Sequence, residues 1–358
     1  MGLFSNTGGG SSLFKNEDAL DLEFVPKLLP YRELQQKRAA SCIRPLLEGR
    51  VGRNALIHGP PGVGKTAALK WVTRELEDAS EDIYIIYVNC WQKSTTFKIF
   101  EEICQQIGYK FTQNKRTEEL FDIIKNYVNK KAAVFVFDEI DKVDDHDFLY
   151  SILEELYKKS VFLVTNYKEW LEDVDERIRS RLTPEIIEFA SYGKDETAGI
   201  LKQRADLAIL PTALSSEALD TLAQYSYEMK DIRLGMYLLR EACLAAEYSS
   251  SKAVSLDHAK TAIAKAKEFK VHHQDDLEED SKKVLEVVKK YTGGKSGDLF
   301  KLYKESSGHG TYKTFQRKVE RLEKLGFITA NKIIGGAEGT TTILEIVTNE
   351  KATTLDKF

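Results

Sequence analysis

The residues whose types and spacing best suit chemistry form one run, Gly59-Pro60-Pro61-Gly62-Val63-Gly64-Lys65-Thr66. It meets the phosphate-loop pattern G-x-x-x-x-G-K-[ST] at every fixed position. Glycines let backbone N–H groups turn toward phosphate oxygens, and a helix starting at Ala67 adds partial positive charge. Lys65 can reach the outer phosphates, and the Thr66 hydroxyl can hold Mg²⁺. A second acidic pair, Asp138-Glu139, ends the apolar run Ala132 to Phe137. Asp138 can hold Mg²⁺ through its water shell, and Glu139 can orient and polarise an attacking water. Asn166 follows Val161 to Thr165 and can hydrogen-bond the γ-phosphate or the water, although Asn after a strand is also a turn former. Arg177, Arg179 and Arg181 alternate beyond it; any can supply charge to a neighbour's phosphates or pair with local acids.

These side chains need a sheet to place them. Short apolar runs at 54–58, 83–89, 132–137, 161–165 and 186–190 predict its strands. Residues 67–76, 94–107, 118–128 and 151–158 predict helices. The polar, basic stretch Lys110 to Thr117 falls between two core strands and predicts an exposed tip. Ahead of the loop, Leu13 to Leu29 lacks clear period and predicts an extended segment lying on a domain. Leu34, Arg38, Cys42 and Leu46 keep helical spacing, with Pro45 a kink or break. That segment can close over a nucleotide's base and sugar; spacing alone favours a packing helix.

Beyond residue 190 the pattern is helical at 195–207, 215–227, 232–248 and 256–269, a small bundle with Arg233 at the start of its third helix. His272 to Asp280 is polar and acidic and reads as a linker. In the last domain Leu299, Leu302 and Tyr303 fit one helix. Thr311 caps a second, whose Phe315, Val319, Leu322 and Leu325 share one face. The other face carries Lys313, Gln316, Arg317, Arg321 and Lys324. A hairpin over 327–334 and 341–347 follows. Helices followed by a hairpin describe a winged helix-turn-helix, whose basic second helix can enter a major groove. The glycine turn carries Glu338 and no Lys or Arg, which favours a protein-contacting wing.

The 358 residues carry a net charge of −4, which does not by itself suggest nucleic acid. Its distribution is uneven: about 13 Lys/Arg against 7 Asp/Glu lie between Ser281 and Asn349, leaving about −10 on the remainder. A basic end on an acidic body can mark polyanion binding. Cys42, Cys90, Cys104 and Cys243 have no C-x-x-C spacing and suit a reducing interior. No apolar run reaches membrane-spanning length. The start MGLFSN has Asn6 where a myristoylation signal requires Ser or Thr, so neither anchor nor signal peptide is expected.

Together, Leu29-Pro30-Tyr31-Arg32-Glu33, the phosphate loop, Tyr87-Val88-Asn89-Cys90, Phe137 to Asp141 (FDEID), Asn166, Lys230 to Arg233 and the winged helix resemble the archaeal origin-recognition initiator family. That family is similar to subunits of the eukaryotic origin-recognition complex. The resemblance implies an α/β AAA+ P-loop core with a parallel sheet, an all-α lid and a C-terminal winged helix-turn-helix. The implied divisions are a flexible tail over 1–20, core 21–190, lid 191–271, linker 272–280, winged helix 281–350 and a tail over 351–358. It implies an ATPase that binds ATP or ADP with Mg²⁺, turns over slowly as a switch, binds double-stranded origin DNA and helps recruit the replicative helicase, with paralogous initiators as further partners. A cytoplasmic, nucleoid-associated location follows. Asn166 would be the first sensor and Arg233 the second; Tyr31 and Arg32 would lie near adenine; Arg177 or Arg181 would be the trans-acting arginine. Lys110, Lys115 and Arg116 would sit on a DNA-touching insertion, joined by Lys313, Gln316, Arg317 and Arg321 on the winged helix. The family's wing often carries an arginine where this chain has Glu338, and its Gly-Asp-x-Arg segment begins here with Lys230. A remodelling or loading ATPase, and a nucleotide-gated scaffold whose winged helix docks proteins, remain as alternatives.

Overall fold

The computed structural model describes residues 12–26, 29–275, 279–306, 310–324, 327–333 and 341–346. The chain divides into two compact units, Met1–Ala264 and Lys265–Phe358. The first is built on five parallel strands: β1 (Ala55–His58), β2 (Ile83–Asn89), β3 (Ala132–Asp138), β4 (Lys159–Thr165) and β5 (Glu185–Glu188), in the order β2-β3-β4-β1-β5. The central strands β1, β3 and β4 are buried along almost their whole length and mostly apolar because both faces are covered. One face is packed by α1 (Glu33–Leu47) and α2 (Lys65–Ala79). The other is packed by α3 (Thr96–Gln106), α4 (Thr117–Val128), α5 (Asp147–Glu155) and α7 (Glu176–Leu182), with the short α6 (Trp170–Asp173) before α7.

The strand order matters to the site. β4 lies between β1 and β3, so whatever follows β4 stands between the phosphate loop and the acids at the end of β3. Ligands of open α/β sheets collect at this carboxyl edge.

The lid consists of α8 (Lys194–Ala208), α9 (Ser216–Glu228), α10 (Ile232–Tyr248) and α11 (Leu256–Asp275). Ser215 and Asp231 cap α9 and α10 through their side chains, as such residues do at helix starts. The N-terminal segment straps onto this lid. Phe14 bridges Ile209, Leu210 N donates to Leu13 O at 2.9 Å, and Ala19 and Leu20 are buried. Arg204 of α8, also buried, donates to Ala19 O at 3.1 Å and Phe24 O at 3.0 Å.

Several sequence expectations need correction. The strap is not extended throughout, since Glu17–Leu20 forms a 3-10 turn. Pro45 does not end α1, which runs on to Leu47. It sits in the last turn, and the Ser41 carbonyl that its missing N–H leaves free accepts from Arg53 Nη2 at 3.2 Å. The helix expected at 151–158 runs instead over Asp147–Glu155, because β4 pairs from Lys159, opposite Ala133. Two helices reach into the stretch expected to be a linker, one up to Asp275 and one from Glu279.

In the second unit, α12 (Glu279–Lys290), β6 (Gly294–Lys295), α13 (Ser296–Glu305), α14 (Tyr312–Lys324), β7 (Ile328–Ile333) and β8 (Thr341–Ile346) follow in order. The sheet order is β6-β8-β7. This is the element order of a winged helix-turn-helix, although α12 and β6 were not foreseen. Val284, Val288, Leu299, Tyr303, Phe315 and Leu322 form its core.

Candidate functional site

The phosphate loop leaves β1 and enters α2, and its glycines are conformationally demanded. Gly62 and Gly64 have φ of +79° and +87°, the left-handed region that side chains disfavour. A Cβ at Gly64 would come within 2.9 Å of the Tyr192 hydroxyl, and one at Gly62 within 3.1 Å of Asp231 Oδ1. The loop is thus a bare backbone cradle walled by residues from outside the core.

Lys65 is buried and folded back over the loop. Its Nζ donates to Gly59 O at 2.7 Å, Pro60 O at 2.8 Å and Asn166 Oδ1 at 2.9 Å. Burial lowers its pKa to about 8, with Asp138 opposing the shift. Asn166 therefore stands where the strand order puts it, beside the loop lysine. Thr66 Oγ1 donates to Asp138 Oδ2 at 2.7 Å. Asp138 is buried and its Oδ1 accepts from the Glu139 N–H at 3.0 Å. Glu139 has a left-handed backbone, φ +57°. Its carboxyl pKa is raised, first by burial and then by the Asp138 and Asp141 charges. A hydroxyl facing a carboxylate offers the hard oxygen donors that suit Mg²⁺, which takes few protein ligands and completes its shell with water and phosphate. Among the described residues there is no group of three or more His, Cys, Asp or Glu that could hold a metal.

From the loop a cleft of about 290 Å³ opens between core and lid. Its lining joins Lys65, Thr66 and Lys70 of the loop and α2 to the apolar side chains of Val25, Pro26, Leu29, Pro30, Ile200 and Met236, with Gln203 and Arg204 among them. A mixed lining of cationic, hydroxyl and apolar groups suits a ligand with both a phosphate tail and a flat base. Arg233 reaches the cleft from the lid. It pairs with Asp231, Nε to Oδ1 at 3.4 Å, and is half exposed.

Other predicted residues stand elsewhere. Arg32 is buried, and its guanidinium donates to Val63 O (3.0 Å), Tyr31 O (3.1 Å) and Ala190 O (2.7 Å) while stacking 3.8 Å from the Tyr192 ring centroid. It braces the loop from behind. Tyr31, at φ +66°, packs its hydroxyl where a Cβ on Gly199 of α8 would come within 2.3 Å. Neither lines the cleft. Arg177 pairs with Asp175 at 3.1 Å and Arg181 with Glu154; both flank Tyr150, and neither lines the cleft. Lys110 and Arg116 are exposed at the tip between α3 and α4, with Phe111 80% exposed between them. Lys115 pairs with Glu119 at 3.7 Å. On α14, Lys313, Gln316 and Arg317 are exposed opposite the buried Phe315, Val319 and Leu322. Arg321 lies on the same helix, and Glu338 lies outside the described residues.

Two groups of site residues went unassigned from sequence. The apolar lining of the cleft comes from three separate segments, so no motif could announce it. Tyr87 donates its hydroxyl to Asp138 Oδ2, and Thr165 Oγ1 donates to Asp141 Oδ1 at 3.2 Å. The signal available for Tyr87 was period-two spacing: it shares a strand face with Asn89, whose register partner is Asp138.

Comparison with known proteins agrees with this geometry. A family model described as an AAA domain matches residues 50–173, and one described as a Cdc6 AAA+ ATPase-type lid domain matches 198–264. ORC1-type DNA replication protein 2 of Methanosarcina acetivorans is 30% identical over 348 residues, 93% of each chain. ORC1-type DNA replication protein 1 of Sulfurisphaera tokodaii is 30% identical, covering 95% of this chain and 92% of its own. The solved structure of the Aeropyrum pernix ORC1 protein in complex with DNA is similar at a TM-score of 0.73 and 26% identity over 94% of each chain. A phosphate loop, acids and a polar strand end gathered under a Cdc6-type lid, together with these relatives, place the chain in the ORC1-type DNA replication protein family.

Proposed function

We propose that this chain is an ATP-dependent DNA replication initiator that binds duplex origin DNA, with slow ATP hydrolysis as a switch. The observation that carries the reading is that Lys65, Thr66 and the lid's Arg233 line one cleft, with Asn166 accepting from Lys65 and Asp138 from Thr66 behind it. Lys65 would exchange the Gly59 and Pro60 carbonyls for phosphate oxygens, whose charge offsets the burial that lowers its pKa. Thr66 and Asp138 would hold Mg²⁺, which when bound neutralises phosphate charge. Glu139 would orient the attacking water, its raised pKa bringing it nearer to neutrality as a base. Asn166 would report the γ-phosphate to β4, and Arg233 would report it to the lid.

Arg233 and the strap tie the nucleotide to the lid helices, so the nucleotide state would set the lid angle and through it DNA affinity. Duplex binding is supported by the Aeropyrum pernix relative solved in complex with DNA and by the exposed Lys313, Gln316 and Arg317 of α14. Helicase recruitment, pairing with paralogous initiators, a trans-acting Arg177 or Arg181 and a cytoplasmic, nucleoid-associated location complete the reading. Footprinting on candidate origin DNA of the host, with ATP and with ADP, tests it. Protection confined to one repeated sequence and altered by the nucleotide is expected; uniform, weak protection would sink it.

A further inference from the structure

The Asp138 carboxylate offers about four lone-pair positions. One on Oδ1 accepts from the Glu139 N–H at 3.0 Å. Oδ2 accepts twice, from Thr66 Oγ1 at 2.7 Å and from the Tyr87 hydroxyl. One position, on Oδ1, is left over among the described contacts. We propose that Tyr87 is a positioning residue for Mg²⁺: with Thr66 it saturates Oδ2, so that Asp138 presents only Oδ1 to the ion's water shell. The proposal rests on the reading of the cleft as an ATP·Mg²⁺ site.

The surroundings of Tyr87 suit that task. β2 is an edge strand, and an edge is free to fray. Here the edge is pinned at Tyr87 itself. The Gln106 side-chain amide accepts from Tyr87 N and donates to Tyr87 O, each at 2.8 Å. The ring packs against the apolar cluster beneath α2, with the Lys70 ammonium 5.9 Å from its centroid. Backbone and ring are thus both held, and the hydroxyl is delivered to a fixed point. Without it, Thr66 and the Glu139 N–H still hold one position on each oxygen, but the second position on Oδ2 opens and Asp138 can offer either oxygen to the ion's water shell. Groups that orient a ligand in this way commonly change metal affinity by 10- to 100-fold.

The test is a titration of a fluorescent ADP analogue with the full chain, at a series of Mg²⁺ concentrations and in EDTA. Tyr87→Phe is expected to raise the Mg²⁺ concentration for half-maximal binding by roughly ten-fold. Binding in EDTA should change little, while the nucleotide-free protein melts lower for the loss of one buried hydrogen bond. In an Asp138→Asn background the same substitution should add nothing, because the two act through one contact. An unaltered Mg²⁺ requirement, an equal loss in EDTA, or a full effect persisting beside Asp138→Asn would each overturn the assignment while leaving the ATP site standing. Wild-type binding that ignores Mg²⁺ would overturn both. If Tyr87→Phe does not fold, Gln106→Ala, which unpins the strand edge, must raise the Mg²⁺ requirement; no rise overturns the proposal.

Discussion

Lys65 sits in a state that nucleotide binding should reverse. Burial holds its pKa at about 8 against an ordinary 10.5. Above about pH 8 the nucleotide-free protein therefore carries a partly neutral lysine, and a triphosphate restores the charge. Binding should take up a proton between those two values, and affinity should fall as pH rises through them. Calorimetry in buffers of different ionisation enthalpy reads the uptake, which should vanish near about pH 6. The stability sign runs the other way. The unfolded lysine binds more protons than the folded one in this window, so the nucleotide-free fold gains stability as pH rises from about 8 toward 10.5. Lys65→Ala removes a charged donor and should weaken nucleotide binding on the order of 100-fold or more. Near-normal affinity by fluorescent-nucleotide titration would refute the phosphate-loop assignment. Glu139→Gln should keep ATP bound while hydrolysis slows by about 10²- to 10⁴-fold in a phosphate-release assay; unaltered turnover would mean that another base does the work.

The strap acts at the scale of elements. It belongs to the lid by its hydrogen bonds, and its residues Leu22, Val25 and Pro26 then line the nucleotide cleft. Arg204 is the peg, with two strap carbonyls accepting from it and the Phe24 ring centroid 5.2 Å away. Arg204→Ala leaves those carbonyls without a donor and should cost about 2–3 kcal/mol of stability, measured by chemical denaturation. It should also lower nucleotide affinity, because the apolar lining of the cleft loses its anchor. Affinity that stays normal in a destabilised protein would show that the strap does not shape the site. Arg32 plays the matching part on the core side, joining Val63 of the loop to Ala190 beyond β5. Both arginines serve the nucleotide by holding backbone in place.

DNA binding belongs to the whole molecule, because the basic end and the acidic body contribute opposite signs. If Lys313 and Arg317 meet phosphates, changing each to Ala should reduce the slope of log affinity against log salt by about 1 per residue and weaken all duplexes alike. Fluorescence anisotropy across a salt series reads this. Unchanged duplex affinity in the double variant would favour the docking scaffold.

Much of the molecule was legible in the linear chain because its chemistry is local. A phosphate loop must place glycines, lysine and hydroxyl within eight positions, and an acid pair must directly end a strand. The central strands announced themselves because both faces are buried, leaving apolar runs at 132–137 and 161–164, while the edge strands β2 and β5 are only half-buried. What the folded chain alone decided depends on distant segments meeting. Arg32 carries the right charge near the loop, yet three carbonyls from 31, 63 and 190 occupy it. Tyr87 looked like strand filling, yet the register of β2 on β3 carries it to Asp138. The apolar lining of the cleft, drawn from strap, core and lid, exists only once those three have packed together.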